Sequence, residues 1–201
     1  MQRGRTPMEQ GQEQSVKKAN SVKNEAWEWT KALLLAAALV IIIRWLICSP
    51  FVVEGPSMEP NFYTGEKMIV NKILYKFREP KRGEVLVFLA PDGRDYIKRV
   101  IALPGDKVRV EGDKVYVNDT QVEEAYLKEA LDEAAKKGVP YNRLNNFAEQ
   151  TVPENSLFAM GDNRSNSLDS RDSRVGFVPY DHIIGRADVI YWPLDKISLI
   201  H

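Results

Sequence analysis

A serine hydroxyl attacks a peptide carbonyl only when something holds it in place and something takes its proton. The stretch VVEGPSMEPNF (52–62) meets the first condition: Ser57 lies between Pro56 and Pro60, whose φ is fixed, and two residues after Gly55. The same residues also suit a plain solvated turn. The second condition calls for a base. His182, in VPYDHIIG, is adjacent to Asp181, but sequence neighbours on an extended segment point to opposite faces, so the two do not form a ready-made triad. No G-x-S-x-G elbow is present, and the S-x-x-K string at Ser15–Lys18 sits in a polar tail with no K-T-G after it. A lysine can take the role if burial lowers its pKa. In YIKRVIAL, alternation sets Tyr96, Lys98 and Val100 on one face of a strand and Ile97, Arg99 and Ile101 on the other. Lys98 is thus flanked by bulky groups, although a lysine there could equally snorkel to the surface.

These residues need elements to hold them. Residues 1–26 are polar and rich in Gln, Lys and Asn, which reads as a disordered cytoplasmic tail. The run ALLLAAALVIII (32–43) follows, with Trp27 and Trp29 before it and Trp45 after it. From Trp27 to Trp45 a helix would span roughly 27 Å, close to the hydrocarbon thickness of a bilayer. The sequence therefore predicts a single uncleaved transmembrane helix over 27–48, with Arg44 snorkelling near one end. A cleaved signal peptide would have a shorter leader and small residues at the cut, which RWLICSPF does not supply. Arg3, Arg5, Lys17, Lys18, Lys23 and Lys31 precede the span and no comparable cluster follows it, which puts the N-terminus in the cytoplasm and residues 49–201 outside. Ser57 would then lie close to the outer membrane surface.

Past the span, short β-type runs alternate with turns: GEVLVFLAPDG (83–93), DYIKRVIALPGD (95–106) and a hairpin of KVRV (107–110), EGD and KVYV (114–117), with SLFAMGDN and RADVIYW later. The fold class expected is mostly β, a folded sheet or barrel-like domain behind one N-terminal helix. EEAYLKEALDEAAKK (123–137) interrupts it as a helical insertion ending near 138 at Gly138 and Pro140; its charges read as a solvated face. Charge balances at 28 basic against 28 acidic residues, and with no basic stripe nucleic acid is not an expected partner. The single Cys48 excludes an internal disulfide or a cysteine-based zinc cluster, and with only His182 and His201 no metal or cofactor is expected.

GPSMEP after a span, RGEVLVF (82–88), YIKRVIALPGD (96–106) and GDNRSNSLDSR (161–171) occur in the order and approximate spacing of bacterial type I signal peptidases, which the chain resembles from residue 32 onward, apart from the insertion. The resemblance implies Ser57 as nucleophile and Lys98 as general base, Ser167 as the hydroxyl orienting the lysine, Asp169 with Arg171 as a supporting ion pair, and Asp162 as a residue that helps hold the site. Some members have a serine two positions before the nucleophile whose hydroxyl binds the oxyanion; Gly55 stands there, leaving backbone N–H groups, that of Ser57 first. This variant, the single span and the small insertion resemble the Gram-positive branch. The implied substrate is an exported preprotein, bound as an extended strand and cut after small residues. Phe51, Val53, Met58, Tyr96 and Ile97 are candidate pocket walls, or plain core. Two other readings are a catalytically inactive membrane-anchored domain that binds peptides and a relative of the self-cleaving Ser-Lys proteases, which lack a span.

Overall fold

The computed structural model describes residues 25, 27–42, 47–142 and 146–200, in two units divided near residue 45. In the first, a helix α1 runs over 27–42 with its side chains exposed along the described length. Among the described residues no helix is long and apolar enough to cross a membrane. Residues 43–46 of the expected span, and all of the expected tail except Glu25, lie outside the described residues.

The second unit opens with strand β1, Cys48–Val52. Cys48, the last residue assigned to the span, is therefore extended, in keeping with Pro50 two residues on, which disfavours helix before it. The strands that follow are β2 (Lys67–Asn71), β3 (Val85–Leu89), β4 (Asp95–Ala102), β5 (Lys107–Glu111), β6 (Lys114–Val117), β7 (Thr120–Gln121), β8 (Phe147–Thr151), β9 (Ser156–Met160), β10 (Val178–Pro179), β11 (Ile183–Trp192) and β12 (Ser198–Leu199). The larger sheet runs β1-β2-β11-β3-β4-β9-β10, with β12 paired to β11. The smaller runs β7-β6-β5-β8, and among the described residues every ladder in both is antiparallel.

Both sides of the larger sheet are packed. Val85 and Val87 of β3 join Val53, Met58, Phe62, Met68, Val70 and Ile190 in one cluster, while Leu86 and Phe88 join Val100, Leu157 and Val178 in another. That is why β3 reads VLVF without alternation: a strand buried on both faces has no polar side. β9 does the same, sending Leu157 and Ala159 one way and Phe158 and Met160 towards the valines of the β5–β6 hairpin. The hairpin falls where the sequence predicts it, Val108 facing Val117 and Glu111 facing Lys114, with Gly112 at φ +55° in the turn.

The insertion is shorter than the pattern predicts. A 3-10 turn at Ala125–Leu127 precedes α2, Lys128–Lys136. No side chain caps its start, whereas its end is closed by Gly138 at φ +66°, with Gly138 N–H donating to Ala135 O and Val139 N–H to Ala134 O.

Candidate active site

Ser57 occupies a tight turn whose neighbours on both sides are driven into the core. Val53 and Met58 are buried, Phe62 packs into the same cluster, and Glu59 N–H, Asn61 N–H and Phe62 N–H close the turn onto Pro56 O and Met58 O at 3.0–3.1 Å. The prolines alone do not fix the hydroxyl; the apolar residues beside it do most of that. Met58 is thus a core anchor, wholly buried and absent from the groove in which it was expected. Gly55 is at φ +80° with open space where a Cβ would stand, so backbone conformation, and not crowding, makes glycine the residue of choice there.

Lys98 comes from β4. Its Nζ lies 2.8 Å from Ser57 Oγ and donates to Ile97 O at 2.8 Å, with the Tyr96 ring centroid 5.2 Å away. The side chain is 3% exposed. Burial is the main cause that brings its pKa down to about 8; Asp169 and then Asp162 pull it back up, and Arg171 lowers it further.

The loop 161–171 doubles back from β9 and locks the two together. Asn163 N–H donates to Ser57 O at 3.0 Å and Asn163 Nδ2 to Pro56 O at 3.1 Å. Gly161 packs so closely that a Cβ on it would lie 2.6 Å from Ser167 Cβ, and closer still to Ser167 Oγ and Ser57 O. Gly161→Ala should therefore force the turn away from Lys98: an overpacking loss of about 1–3 kcal/mol, with activity lost out of proportion because the hydroxyl moves. Denaturant unfolding and turnover, measured together, check this.

Asp169 and Arg171 form the expected ion pair at 2.8 Å, both buried, and Asp169 also accepts from Gly161 N–H at 3.0 Å. Burial works to raise the Asp169 carboxyl, but the bonds from Arg171 outweigh it and hold it below the usual range. Asp162 is wholly buried, taking Arg99 Nε at 2.9 Å, Arg99 Nη2 at 2.7 Å and Asn61 Nδ2 at 2.8 Å. Ser167 Oγ is buried, with no well-formed hydrogen bond among the described residues, though it lies near enough to Asp169 to help hold that carboxyl down; the bonds of Lys98 go to Ser57 and Ile97 and not to Ser167. Arg99, Asn61, Gly161 and Asn163 were not singled out by the sequence reading. Arg99 and Asp162 lie in quoted stretches, but nothing in their spacing pairs them.

The serine and lysine lie in a groove of about 610 Å3, lined by Phe51 and Val53 on one side and Tyr96 and Ile97 on the other. Leu168, Met68 and Val87, which nothing local in the sequence marks, also line it. The larger sheet curls so that β1 and β4 face this one groove although β2, β11 and β3 lie between them in pairing order. β4 pairs with β9 only from Arg99 onward, so Asp95–Lys98 leaves one edge unpaired, and β1 ends the sheet. Two strand edges thus border one groove, with a hydroxyl and a buried amine at its head.

His182, by contrast, is exposed on the 3-10 turn Tyr180–His182. Residues 26–192 match the family described as signal peptidase, peptidase S26. Signal peptidase I of Bacillus amyloliquefaciens is 37% identical over 90% of this chain and 91% of its own length. Signal peptidase I T of Bacillus subtilis (strain 168) is 36% identical over 90% and 93%. A solved signal peptidase I from Enterococcus faecalis V583 is 33% identical, covering 54% of this chain and 97% of that one with a TM-score of 0.48. The chain belongs to the peptidase S26 signal peptidase family.

Proposed function

We propose that this protein is a membrane-anchored serine endopeptidase that removes N-terminal signal peptides from exported preproteins, with Ser57 as nucleophile and Lys98 as general base. The observation that carries the reading is the 2.8 Å approach of a buried lysine amine to a serine hydroxyl beside an open strand edge. Membership of the signal peptidase family supports the activity and the substrate class.

The preprotein's cleavage region lies extended between β1 and the unpaired half of β4, where main-chain groups of both strands are available to it. Phe51, Val53, Tyr96 and Ile97 wall the sites that admit small side chains. Neutral Lys98 accepts the Ser57 proton as Oγ attacks the scissile carbonyl carbon, and the Ile97 carbonyl holds the amine in line. The tetrahedral oxyanion is taken by the Ser57 N–H, which donates to no other group among the described residues. Collapse of that intermediate breaks the C–N bond, and Lys98 returns the proton to the departing amine. Water, with Lys98 again as base, then hydrolyses the ester on Ser57. Asp162, Asp169 and Arg171 brace the loop that fixes the pair, and the role of orienting the amine falls to Ser167 on that loop by resemblance to the family.

The apolar span that precedes β1 anchors the domain at the outer face of the bilayer with the N-terminus cytoplasmic. Its support is the apolar run, the flanking tryptophans and the basic residues ahead of it.

A base works only when deprotonated. With the Lys98 pKa brought down to about 8, single-turnover cleavage should rise about tenfold per pH unit on the acid side and level off above that value. A rate flat from about pH 6 to about pH 9, with chemistry limiting, would contradict the lysine base.

A further inference from the structure

The helical insertion, whose charges are expected from sequence to form a solvated face, is bonded at both ends to the groups that hold the Ser57 turn. At its start, Glu124, 9% exposed, accepts both terminal nitrogens of Arg164, and Tyr126 OH donates to Glu124 at 2.5 Å. Arg164 in turn donates from Nε to Gly161 O at 3.1 Å, on the glycine that packs against Ser57 O. Tyr126 O accepts from Asn61 Nδ2 at 3.1 Å, and its ring lies under the Arg99 guanidinium at 4.0 Å. At the insertion's far end Tyr141 OH donates to Asp162 O at 2.8 Å, Ser165 Oγ donates to Tyr141 O, and Arg171 Nη1 donates to Asn142 Oδ1 at 2.9 Å. Asp113, in the β5–β6 turn, anchors that end by accepting from Tyr141 N–H and Asn142 N–H.

We propose that the insertion is a clamp for the loop 161–171, with Glu124 and Tyr141 as positioning residues that keep Ser57 and Lys98 in register without touching substrate. The proposal rests on the Ser57/Lys98 reading. Three features support it. The contacts are buried and charge-assisted at Glu124, so they are strong and directional. They fall on the backbone carbonyls of Gly161 and Asp162, which precede the Asn163 that grips Ser57 O. And neither Tyr141 nor Arg164 lines the groove, so loss of either bond leaves substrate contacts intact. A displacement of about 1 Å in a reacting pair can cost about 100-fold in rate, which makes a remote clamp consequential.

The test uses the full chain in detergent micelles with a fluorogenic peptide carrying an Ala-x-Ala cleavage site. Tyr141→Phe keeps the ring and removes one hydrogen bond; Glu124→Gln keeps the shape and removes the charge. Each should lower kcat about 10- to 100-fold with KM within about twofold, and shift the acid limb of the pH–rate profile upward, because a loosened loop lets water reach Lys98. If Tyr141→Phe leaves kcat and the limb unchanged, the clamp is overturned, whatever happens to its melting temperature. A rise in KM alone would also overturn it, by placing the loop in substrate binding. Ser57→Ala, assayed alongside, separates the two levels: if it still cleaves, the reading beneath the proposal fails, independently of either clamp variant.

Discussion

Ser57→Ala and Lys98→Ala should each reduce preprotein cleavage by at least roughly 10^4-fold, and the double variant should be no slower than either, because the two groups act as one unit. The fold should survive both. Ser57 contributes one side-chain hydrogen bond, and Lys98 is destabilising where it stands. Its folded pKa of about 8 lies below its ordinary value of 10.5, so the unfolded chain binds the extra proton more readily between those values. Stability therefore rises with pH across that window, and the charged lysine weakens the fold below it. The shift corresponds to about 3 kcal/mol below pH 8. Lys98→Met, of similar length and uncharged, should thus unfold later than the parent at about pH 6 while being inactive. Cleavage within tenfold of the parent by either single variant would refute the pairing.

The second large effect concerns Arg99 and Asp162, 4% and 0% exposed at the side chain and joined at 2.7 Å. Removing one partner of a buried pair strands the other, at a cost of about 3–5 kcal/mol. Asp162→Ala should therefore lower the unfolding midpoint by roughly 10 °C for a domain of this size. It should also slow turnover, because Asn61 loses one of its two acceptors next to the Ser57 turn. Replacing both members with apolar residues of similar volume should recover much of the stability but not the rate. Urea unfolding of the single and double variants separates the two contributions; a single variant as stable as the parent would show that the pair is dispensable.

How far the sequence led depends on the kind of interaction. β3, β4, the β5–β6 hairpin, β9 and β11 were legible because their apolar runs and turn residues are local. The serine turn was legible for the same reason, its prolines being adjacent to the residue they shape. Met58 stayed open between pocket and core because a methionine beside a nucleophile is chemically as apt for one as for the other, and only the fold shows it packed with the apolar residues of β2 and β3. The solvated face of the insertion was legible, since the charges of α2 are exposed, but the contacts at its ends were not. Its helix pattern is plain, but Glu124, Tyr126 and Tyr141, which bond to the Ser57 turn and its loop, lie outside α2, and their partners are about 20–65 positions away, beyond the reach of any periodicity argument. The curling that brings β1 and β4 to one groove was likewise invisible, since strand order does not follow chain order.

If Ser57 and Lys98 act as nucleophile and base, the Ser57 oxygen becomes covalently bonded to substrate only when Lys98 is present. The most direct measurement is intact-mass analysis and peptide mapping of the full chain, acid-quenched during turnover of a slowly deacylating peptide ester. One acyl group per chain is expected, located on Ser57, and absent from both Ser57→Ala and Lys98→Ala at neutral pH. An acyl group on any other residue, or undiminished acylation of the Lys98→Ala protein, would contradict it.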